Sequence, residues 1–397
     1  MKILCVNCGS SSLKFQLMEM PEEKLIISGL FEKIGLKDSS WTIKMNGKKF
    51  ETEGEIRNHT DATSVLLKEL IKHKAIKSLN DIDGVGHRIV HGAEKYNKSV
   101  IITDEVINDI VKFTKFAPLH HPGNLAGVEA LRSELPNTPM VAVYDTAFHQ
   151  TMPKKNYMYP VPYEWYKKYG VRKYGFHGTS HKYLTEAMKK KLGKENVNLI
   201  ICHIGSGASL CAVKNGKSYD TTMGLTPLDG LMMGTRSGSI DASILEYVEK
   251  ESGYNTNTIT NALNKKSGFV GISGYSDSRD VEKSAEKGDS KAKLAIDMFN
   301  SRVANYIADY YIELGGKVDA IVFSAGMGEN AIDFREDIVN RLKPLGLKID
   351  SKVNKETAGY KDQSEAKISA DDSSIDIYVL PTNEELMIIR DTYELCK

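Results

Sequence analysis

A short polar turn between two apolar runs near the start of the chain limits the possible folds more than any other feature. Residues 3–6 and 13–17 are apolar, and the segment between them contains Asn7, Gly9 and three serines, a pattern that predicts a β-hairpin. Glycine lets the backbone approach a ligand closely, and serine hydroxyls and amide groups donate to an oxygen-rich group such as phosphate. Lys14 adds a positive charge next to this turn. The alternative is an ordinary glycine and serine turn that binds nothing.

The same arrangement recurs near the middle of the chain. Residues 199–213 run from an apolar strand through a glycine and serine turn into a second apolar strand, with His203 in the place of Asn7 and Gly205 in that of Gly9. We expect the second turn to be one residue longer than the first. Two phosphate-binding hairpins predict a nucleotide held by duplicated α/β lobes, and chance similarity between short hairpins is the alternative.

Length and composition indicate two α/β domains and a small ligand. A chain of 397 residues is too long for one small core, and a net charge of +1 gives no reason to expect nucleic acid or an acidic membrane as partner. No apolar run approaches the roughly 20 residues that cross a bilayer, and the first residues lack the features of an export signal. Five cysteines favour free thiols in a reducing compartment, so we expect a cytoplasmic protein.

Two spacings that are typical of metal sites are predicted to have no metal. Cys5 and Cys8 are three apart on a predicted strand, where their side chains point to opposite faces. His87 and His91 are four apart, but their segment is strand-like and lacks the glutamate of H-E-x-x-H. Arg88, between these histidines at a strand end, is better suited to hold an anion.

Polar residues at strand ends and in glycine-rich segments are further candidates for a site. Asp145 stands where the apolar run of residues 141–149 stops, and ligands bind at the carboxyl ends of strands in open α/β sheets; a capping aspartate is the alternative. His177 lies beside a glycine and Phe176, which favours a functional position. Arg236 is a second candidate for anion binding, because long irregular segments in compact domains are usually functional.

Two motifs near the C-terminus leave alternatives open. Residues 326–331, GMGENA, follow a predicted strand and match G-x-G-x-x-A, so a dehydrogenase has to be considered. Glu384 follows the last predicted strand, where it suits either the acidic first turn of a helix or a metal site.

Apolar spacing predicts the main helices. These lie over residues 65–77, 103–116, 180–192 and 292–314. The third is expected to be capped by Thr179 or Ser180. Two prolines predict a loop over residues 117–124.

Nine segments, in order along nearly the whole chain, resemble the acetate kinase family of the acetate and sugar kinase, heat-shock ATPase and actin superfamily. They are VNCGSSSLKF, GHRIVHG, FAPLHHPGN, YDTAFH, RKYGFHGTSH, HIGSGAS, GLTPLDGLMMGTRSG, SAGMGENA and PTNEEL. The resemblance implies an α/β fold of two duplicated actin-like (ribonuclease H-like) domains that flank a nucleotide-binding cleft. The first would span residues 1–148, completed by the C-terminal helix 382–397. The second, residues 149–381, would bind nucleotide and carry the dimerisation surface.

The resemblance also implies a reaction and its partners. The terminal phosphoryl group of ATP would move reversibly to acetate, giving acetyl phosphate and ADP, with Mg²⁺ as the cofactor and Mn²⁺ as a substitute. The partners would be ATP or ADP, acetate or acetyl phosphate, and a second copy of the chain in a homodimer. Nucleic acid and membrane would not be partners.

Site residues follow from the resemblance by position. The catalytic residues would be Arg88, Asp145, His177 and Arg236. The acetate would contact Arg88, Val90, Leu119, Phe176 and Pro227. The nucleotide would contact Ser10, Ser12, Lys14, His203, Ile204, Gly205, Ser206, Gly207, Asp277, Ser278, Arg279, Gly326, Met327, Gly328, Glu329 and Asn330. Mg²⁺ would be handled by Asn7 and Glu384.

Three positions depart from the usual pattern of the family. Ser206 stands where asparagine is common, Ser239 where aspartate is common, and Cys8 where alanine is common. Ser206 matters most, because its shorter side chain reaches less far toward the nucleotide phosphates. Pyrophosphate is therefore an alternative phosphoryl donor.

The chemistry explains why two arginines would be needed. A carboxylate that attacks a phosphoryl group brings two anions together, and charges 4 Å apart repel by about 4 kcal/mol at an effective dielectric of 20. Arg88, Arg236 and the metal ion would offset this repulsion. Acetate is already ionised at neutral pH, so Asp145 need not be a base; we predict that it orients an arginine or a metal-bound water.

Two other functions remain open at this point. A kinase for propionate or butyrate differs only by methylenes in an apolar pocket, which discriminate by about 1 to 3 kcal/mol each, although Val90 favours a small pocket. A non-catalytic ATP-binding switch of the actin or heat-shock type would need no residues that hold a carboxylate.

Overall fold

The computed structural model describes residues 1–9, 11–118, 120–357 and 365–397. The chain forms two compact units. The first comprises Met1–Gln150, Gly178–Ser180 and Asn383–Lys397, so that the C-terminus returns to the N-terminal part of the chain. The second comprises Thr151–His177 and His181–Thr382.

Groups of strands and groups of helices follow one another along the chain. The strands are β1 (Lys2–Cys8), β2 (Leu13–Glu19), β3 (Lys24–Glu32), β4 (Ser40–Met45), β5 (Lys48–Glu53), β6 (Gly84–Ile89), β7 (Val100–Ile101), β8 (Met140–Tyr144), β9 (Leu199–Ile204), β10 (Ala208–Lys214), β11 (Lys217–Thr221), β12 (Ala320–Ser324), β13 (Ala366–Lys367) and β14 (Asp376–Val379). The helices are α1 (His59–Lys72), α2 (Asp104–Phe113), α3 (His121–Glu134), α4 (Lys154–Tyr157), α5 (Tyr163–Tyr169), α6 (Gly178–Leu192), α7 (Ser243–Ser252), α8 (Thr256–Lys265), α9 (Gly268–Ser273), α10 (Ser278–Glu286), α11 (Ser290–Glu313), α12 (Ala325–Asn330), α13 (Ile332–Arg341), α14 (Ser351–Glu356) and α15 (Glu384–Cys396). Short 3-10 turns cover Leu79–Asp81, Thr114–Phe116, Ala147–Thr151 and Lys343–Leu345.

The sheets of the two units share a common core topology, to which the first unit adds the strands β4 and β5. The sheet of the first unit has the strand order β5-β4-β3-β2-β1-β6-β8-β7, and that of the second has the order β11-β10-β9-β12-β14-β13. In each, three antiparallel strands joined by hairpins are followed by two strands that run parallel to the first of them. The predicted duplicated α/β fold is therefore confirmed.

The returning helix α15 packs on one face of the first sheet, and α3 packs on the same central strands. Two glycines of β6 make close packing of α15 possible. A Cβ atom on Gly86 would lie 2.2 Å from Thr392 Oγ1 and 2.6 Å from Ile388 Cγ2, and one on Gly84 would lie 3.0 Å from Cys396 Sγ. The absence of side chains here brings the first turn of α15 to the ends of the strands.

Three local predictions were wrong. The loop predicted over residues 117–124 contains the start of α3, which begins at His121 with Pro122 in its first turn, where a missing N–H costs nothing. Helix α6 is capped neither by Thr179 nor by Ser180, because it begins earlier, at Gly178.

The third error concerns the second hairpin turn, which is shorter than the first. Residues 205–207 connect a closing pair of Ile204 and Ala208, whereas residues 9–12 connect Cys8 and Leu13. The amide of Gly205 donates to the carbonyl of Gly207 at 3.0 Å and closes the tighter turn.

All five cysteines are free thiols, as predicted, and four of them are buried. Within the described ranges, no helix combines the length and the apolar character needed to cross a membrane.

Candidate active site

The first unit brings three predicted site residues together at the ends of its central strands. Arg88 of β6 lies beside Asn7 of β1 in the parallel register, and Asp145 follows β8 on the same face. The carboxylate of Asp145 accepts hydrogen bonds from Arg88 Nε at 3.1 and 3.0 Å, and also from Arg88 Nη2. Arg88 Nη1 donates to Asn7 Oδ1 at 3.3 Å. Asp145 therefore contacts an arginine, as the sequence led us to expect.

Helix α15 adds two carboxylates to this cluster. Its first turn contains Glu384 and Glu385, and Lys14 Nζ pairs with Glu385 Oε1 at 2.6 Å. Burial raises the pKa of Glu384, which the carboxylates of Asp145 and Glu385 raise further against the opposing effect of Arg88. Burial alone would lower the pKa of Arg88, but the neighbouring carboxylates raise it above its ordinary value. The cluster thus has three carboxylates and two cations.

The oxygen atoms of this cluster suit Mg²⁺. In the part of the chain that the structure describes, no group of three or more His, Cys, Asp or Glu side chains is arranged to hold a metal ion. Mg²⁺ does not need such a cage, because it binds one or two protein oxygens together with water and phosphate oxygens. The amide oxygen of Asn7 and the carboxylate of Glu384 are donors of this kind, next to an excess of negative charge.

The backbone at the strand ends is held by residues that sequence reasoning missed. The buried amide of Asn124 in α3 donates to the carbonyl of Cys8 at 2.8 Å and accepts from the amide of Val90 at 3.2 Å. It therefore joins the ends of β1 and β6. His59 Nε2 donates to the carbonyl of Gly9 at 2.8 Å. Asn124 lies within FAPLHHPGN, but only the fold reveals its partners.

The second unit contains a cavity of about 600 Å³ lined by most of the predicted nucleotide contacts. The predicted residues on its wall are Gly205, Ser206, Gly207, Arg236, Asp277, Ser278, Arg279, Gly326, Met327 and Asn330. The wall residues that were not predicted are Gly234, Thr235, Phe269, Ser276, Glu282 and Ala331. Of the predicted nucleotide contacts in the second unit, four are not among the lining residues: His203, Ile204, Gly328 and Glu329.

Two of these four hold the segment that follows β12. Glu329 Oε1 accepts from the amide of Ala325 at 2.8 Å, and Ala325 has a left-handed backbone with φ of 64°. The carbonyl of Gly328 accepts from Nη1 of the buried Arg335 at 2.9 Å. In this structure both residues therefore fix the shape of the segment behind the cavity wall.

Arg236 is the less compensated of the two arginines that line the cavity. Its Nη1 donates to the carbonyl of Pro227 at 3.4 Å and lies 3.6 Å from Met233 Sδ. No carboxylate among the described residues pairs with it, and burial lowers its pKa. By contrast, Arg279 donates to Asp277 through Nε at 3.0 Å and Nη2 at 2.5 Å, and these bonds lower the pKa of Asp277 to about 2.

Two histidines lie beside the turn of the second hairpin. The rings of His177 and His203 are 4.3 Å apart. A Cβ atom on Gly207 would lie 3.5 Å from Cε1 and Nε2 of His177 and 3.7 Å from Arg236 Nη1. The Nε2 edge of His177 and the guanidinium of Arg236 therefore both border Gly207.

The predicted contacts of the acetyl group are placed as follows. Val90 is buried directly after β6 in the first unit. Phe176 is buried in the second unit, where the carbonyl of Pro227 contacts Arg236. Leu119, and also Ser10 of the first hairpin, lie outside the described residues. Ser12 closes its turn by accepting a backbone bond from Gly9 at 2.8 Å.

The sequence matches the model of the Acetokinase family over residues 2–390. The chain belongs to this family. It is 50% identical over 400 residues to the acetate kinase of Finegoldia magna and 48% identical over 399 residues to that of Bacillus subtilis, with full coverage of both proteins. Among solved structures, it is similar to a propionate kinase from Francisella tularensis, at 44% identity, and to the acetate kinase of Porphyromonas gingivalis, at 43%. Each has a TM-score of 0.93, and at least 99% of both chains is covered.

Family membership removes the dehydrogenase and the non-catalytic switch from consideration.

The structure shows what surrounds the three residues that depart from the usual family pattern. Ser239 Oγ donates to Asp229 Oδ1 at 2.6 Å, a bond that an aspartate at position 239 could not make. Cys8 packs against Gly127, where a Cβ atom would lie 2.4 Å from its sulfur, so the larger side chain is accommodated by a glycine. Ser206 lines the cavity.

Proposed function

We propose that this chain transfers the terminal phosphoryl group of ATP to acetate, reversibly, and forms acetyl phosphate and ADP. The observation that carries the proposal is that each unit has one arginine at its candidate site, in a chain that belongs to the acetokinase family. A carboxylate neutralises the charge of one arginine and not that of the other. Arg236 is a half-buried cation without a carboxylate partner among the described residues, and it lines a cavity that suits a polyphosphate. Arg88 is a cation oriented by Asp145 at a strand end, which suits one small carboxylate.

Nucleotide binding is assigned to the cavity of the second unit. Its glycine and serine turn at residues 205–207 can approach phosphates without side-chain obstruction, and Arg236 supplies the positive charge. An arginine that contacts the transferring phosphoryl group contributes roughly 10³ to 10⁵ in rate. His177 adds a hydrogen bond to an equatorial oxygen, which is worth about 10² to 10³ for a well-placed donor.

Acetate binding is assigned to Arg88. The acid is ionised at neutral pH and attacks without losing a proton, so no general base is required. Asp145 keeps the guanidinium in one orientation through its two carboxylate oxygens. The contacts of the methyl group with Val90, Phe176 and Pro227 remain predictions.

Asn7 and Glu384 would hold the divalent ion, which we propose is Mg²⁺ with Mn²⁺ as a substitute. When bound, such an ion neutralises charge on phosphate oxygens. The protein's own part is to supply two oxygen donors beside a further carboxylate, Glu385, that Lys14 partly compensates. The homodimer, the cytoplasmic location and the functional division into residues 1–148 with 382–397 and residues 149–381 also remain predictions.

The test is direct formation of acetyl phosphate. Purified protein is given MgATP and acetate, and the product is trapped with hydroxylamine as acetohydroxamate. We expect hydroxamate to accumulate with the wild type and not with Arg236→Ala, which controls for contaminating kinases. No hydroxamate above this control would overturn the proposal.

The same assay defines donor and acceptor. Propionate and butyrate in place of acetate measure the preference for chain length, and we expect kcat/KM to fall with each methylene. Pyrophosphate in place of ATP tests the effect of Ser206, and we expect ATP to be the better donor. A higher kcat/KM for propionate than for acetate would change the assigned substrate but leave the reaction class intact.

A further inference from the structure

We propose that Ser209 and His181 set the tautomer of His177, so that Nε2 of His177 carries the proton that is donated to the transferring phosphoryl group. The inference rests on the proposed function, because it explains how His177 can act as a donor. Ser209 and His181 are positioning residues in this scheme, since they act through His177.

The three side chains form a hydrogen-bonded chain within the second unit. His177 Nδ1 lies 2.9 Å from Ser209 Oγ, and His181 Nε2 lies 2.8 Å from the same oxygen. Ser209 is in the middle of the second hairpin, on β10, and His181 is one helical turn beyond His177 along α6. Ser209 and His181 are fully buried, so water does not compete for these bonds.

The ring of His177 is held with one edge toward Gly207, which lines the cavity. Its Cε1 and Nε2 atoms are the side-chain atoms closest to the Cβ position of Gly207, followed by Arg236 Nη1. Its Nδ1 faces the buried hydroxyl of Ser209. The residue has a left-handed backbone with φ of 56°, which is uncommon for a residue with a side chain. This unusual conformation starts α6 and gives the imidazole its direction.

A neutral imidazole has one N–H, so the two nitrogens cannot both donate. If Nε2 donates to a phosphoryl oxygen, Nδ1 has to accept. The hydroxyl of Ser209 can donate to Nδ1, while its oxygen accepts from Nε2–H of His181. This order of donors runs from His181 through Ser209 to His177 and leaves the proton of His177 on Nε2.

The opposite tautomer would oppose the reaction. With the proton on Nδ1, His177 would donate to Ser209 and present the lone pair of Nε2 toward phosphoryl oxygens. A lone pair facing an oxygen anion is repulsive, so one proton decides whether His177 stabilises or destabilises the developing charge. The same logic holds for hydrolases, in which a buried partner fixes the tautomer of the catalytic histidine.

A double-mutant cycle tests the inference in the intact enzyme. Ser209→Ala is made in the wild type and in His177→Ala. In the wild type, we expect kcat to fall about tenfold with KM for ATP changed by less than about twofold, because only part of the histidine population keeps the productive tautomer. In His177→Ala, the same change should have no further effect. Equal losses in both backgrounds would overturn the inference.

Two further experiments distinguish a role of Ser209 in positioning His177 from a role in packing alone: a conservative substitution and a spectroscopic measurement of the tautomer. Ser209→Thr keeps the hydroxyl, and we expect it to restore most of the turnover lost in Ser209→Ala. In protein labelled with ¹⁵N at histidine, the signals of His177, assigned by their loss in His177→Gln, should show a protonated Nε2 in the wild type and a tautomer mixture in Ser209→Ala. A protonated Nδ1 in the wild type would overturn the inference. The spectra need no catalysis, so this result is separate from a failure to form acetyl phosphate.

Discussion

The two units place an arginine beside a glycine and serine hairpin and compensate its charge in opposite ways. Arg88 in the first unit is bound by Asp145 and lies near two further carboxylates, so negative charge is in excess. Arg236 in the second unit contacts a backbone carbonyl and a sulfur atom, and no described carboxylate pairs with it. Equivalent topology has therefore produced one region suited to a divalent cation and a small acid, and another suited to a polyphosphate.

The two hairpins also differ in the length of their turns and in the side chains that lie beside them. In the first hairpin, Asn124 and His59 donate hydrogen bonds to the backbone carbonyls of Cys8 and Gly9. Four residues connect its closing pair, Cys8 and Leu13. The second turn has three residues, and the side chains of His177 and Arg236 lie beside it. A shared strand order fixes where ligands can bind, and the side chains around each turn decide which ligand binds.

The largest expected effect separates the two arginines by function. Arg236→Ala should lower kcat by about 10³ because the transferring group loses its only directly assigned arginine. Thermal unfolding should be unchanged or shifted upward, since a half-buried charge without a carboxylate partner is removed. Steady-state kinetics and calorimetry check both. A kcat within tenfold of the wild type would show that Arg236 does not contact the transition state.

The second-largest expected effect distinguishes the two arginines by their contribution to the stability of the folded protein. Arg88→Ala leaves the buried carboxylate of Asp145 unpaired and should lower the free energy of unfolding by about 3 kcal/mol, while KM for acetate rises. The combined variant Arg88→Ala with Asp145→Asn should recover most of the stability and none of the acetate affinity. If Arg88→Ala unfolded at the wild-type temperature, the ion pair would not be the stabilising contact that the structure indicates.

A smaller effect tests how the first hairpin is held. Asn124→Ala leaves two buried backbone groups, the carbonyl of Cys8 and the amide of Val90, without a partner, and should cost about 2 kcal/mol. KM for acetate should rise while the dissociation constant for ADP stays the same. His59→Ala removes a single bond and should cost about half as much. Isothermal titration with ADP and calorimetry make the comparison, and weaker ADP binding in Asn124→Ala would contradict it.

The smallest effect concerns a carboxyl group in the cavity of the second unit. Burial, together with the carboxylates of Asp333, Glu286 and Asp277, raises the pKa of Glu282 to about 7. The folded protein therefore binds more protons than the unfolded chain between roughly pH 4.5 and pH 7, and stability falls as the pH rises through this range. Glu282→Gln should be more stable than the wild type by about 1 kcal/mol at pH 8, a figure reduced for partial exposure, and equal to it at pH 4.5.

Nucleotide affinity gives a second measurement for Glu282. An ionised carboxylate in the cavity repels phosphate, so ADP should bind the wild type more weakly at pH 8 than at pH 6. Glu282→Gln corrects for the titration of ADP itself and should show a smaller change. Identical pH dependence in both proteins would mean that Glu282 is already ionised at pH 6.

Much of the fold could be predicted from local patterns. Strands β1 and β2 were predicted from two apolar runs around a polar turn, and Asp145 was predicted to lie at a strand end because it directly follows an apolar run. Helix α3 was missed because Pro122, Gly123 and Gly127 interrupt the apolar spacing on which a helix prediction depends. These glycines have their explanation in tertiary contacts: a Cβ atom on Gly123 would lie 2.9 Å from the carbonyl of Gly9.

In the candidate site, individual residues could be recognised from the sequence, but the contacts between them could not. Arg88, Asp145 and Arg236 were recognised because charged residues at strand ends and in irregular glycine-rich segments are well placed to bind ligands. The link between Arg88 and Asp145 spans 57 residues, and that between Lys14 and Glu385 spans most of the chain, so no local pattern reports them. Glu282, Asn124 and Ser209 were missed for the same reason.

The amino-acid sequence by itself determined the duplicated strand and turn elements, the family and the identity of the charged residues, because these depend on neighbours along the chain. Only the tertiary structure decided which charges compensate each other, which nitrogen of His177 borders Gly207 and which side chains hold the turns. Such properties depend on distances of about 3 Å between residues that are remote in sequence, and hydrogen bonds and ion pairs weaken steeply beyond that separation.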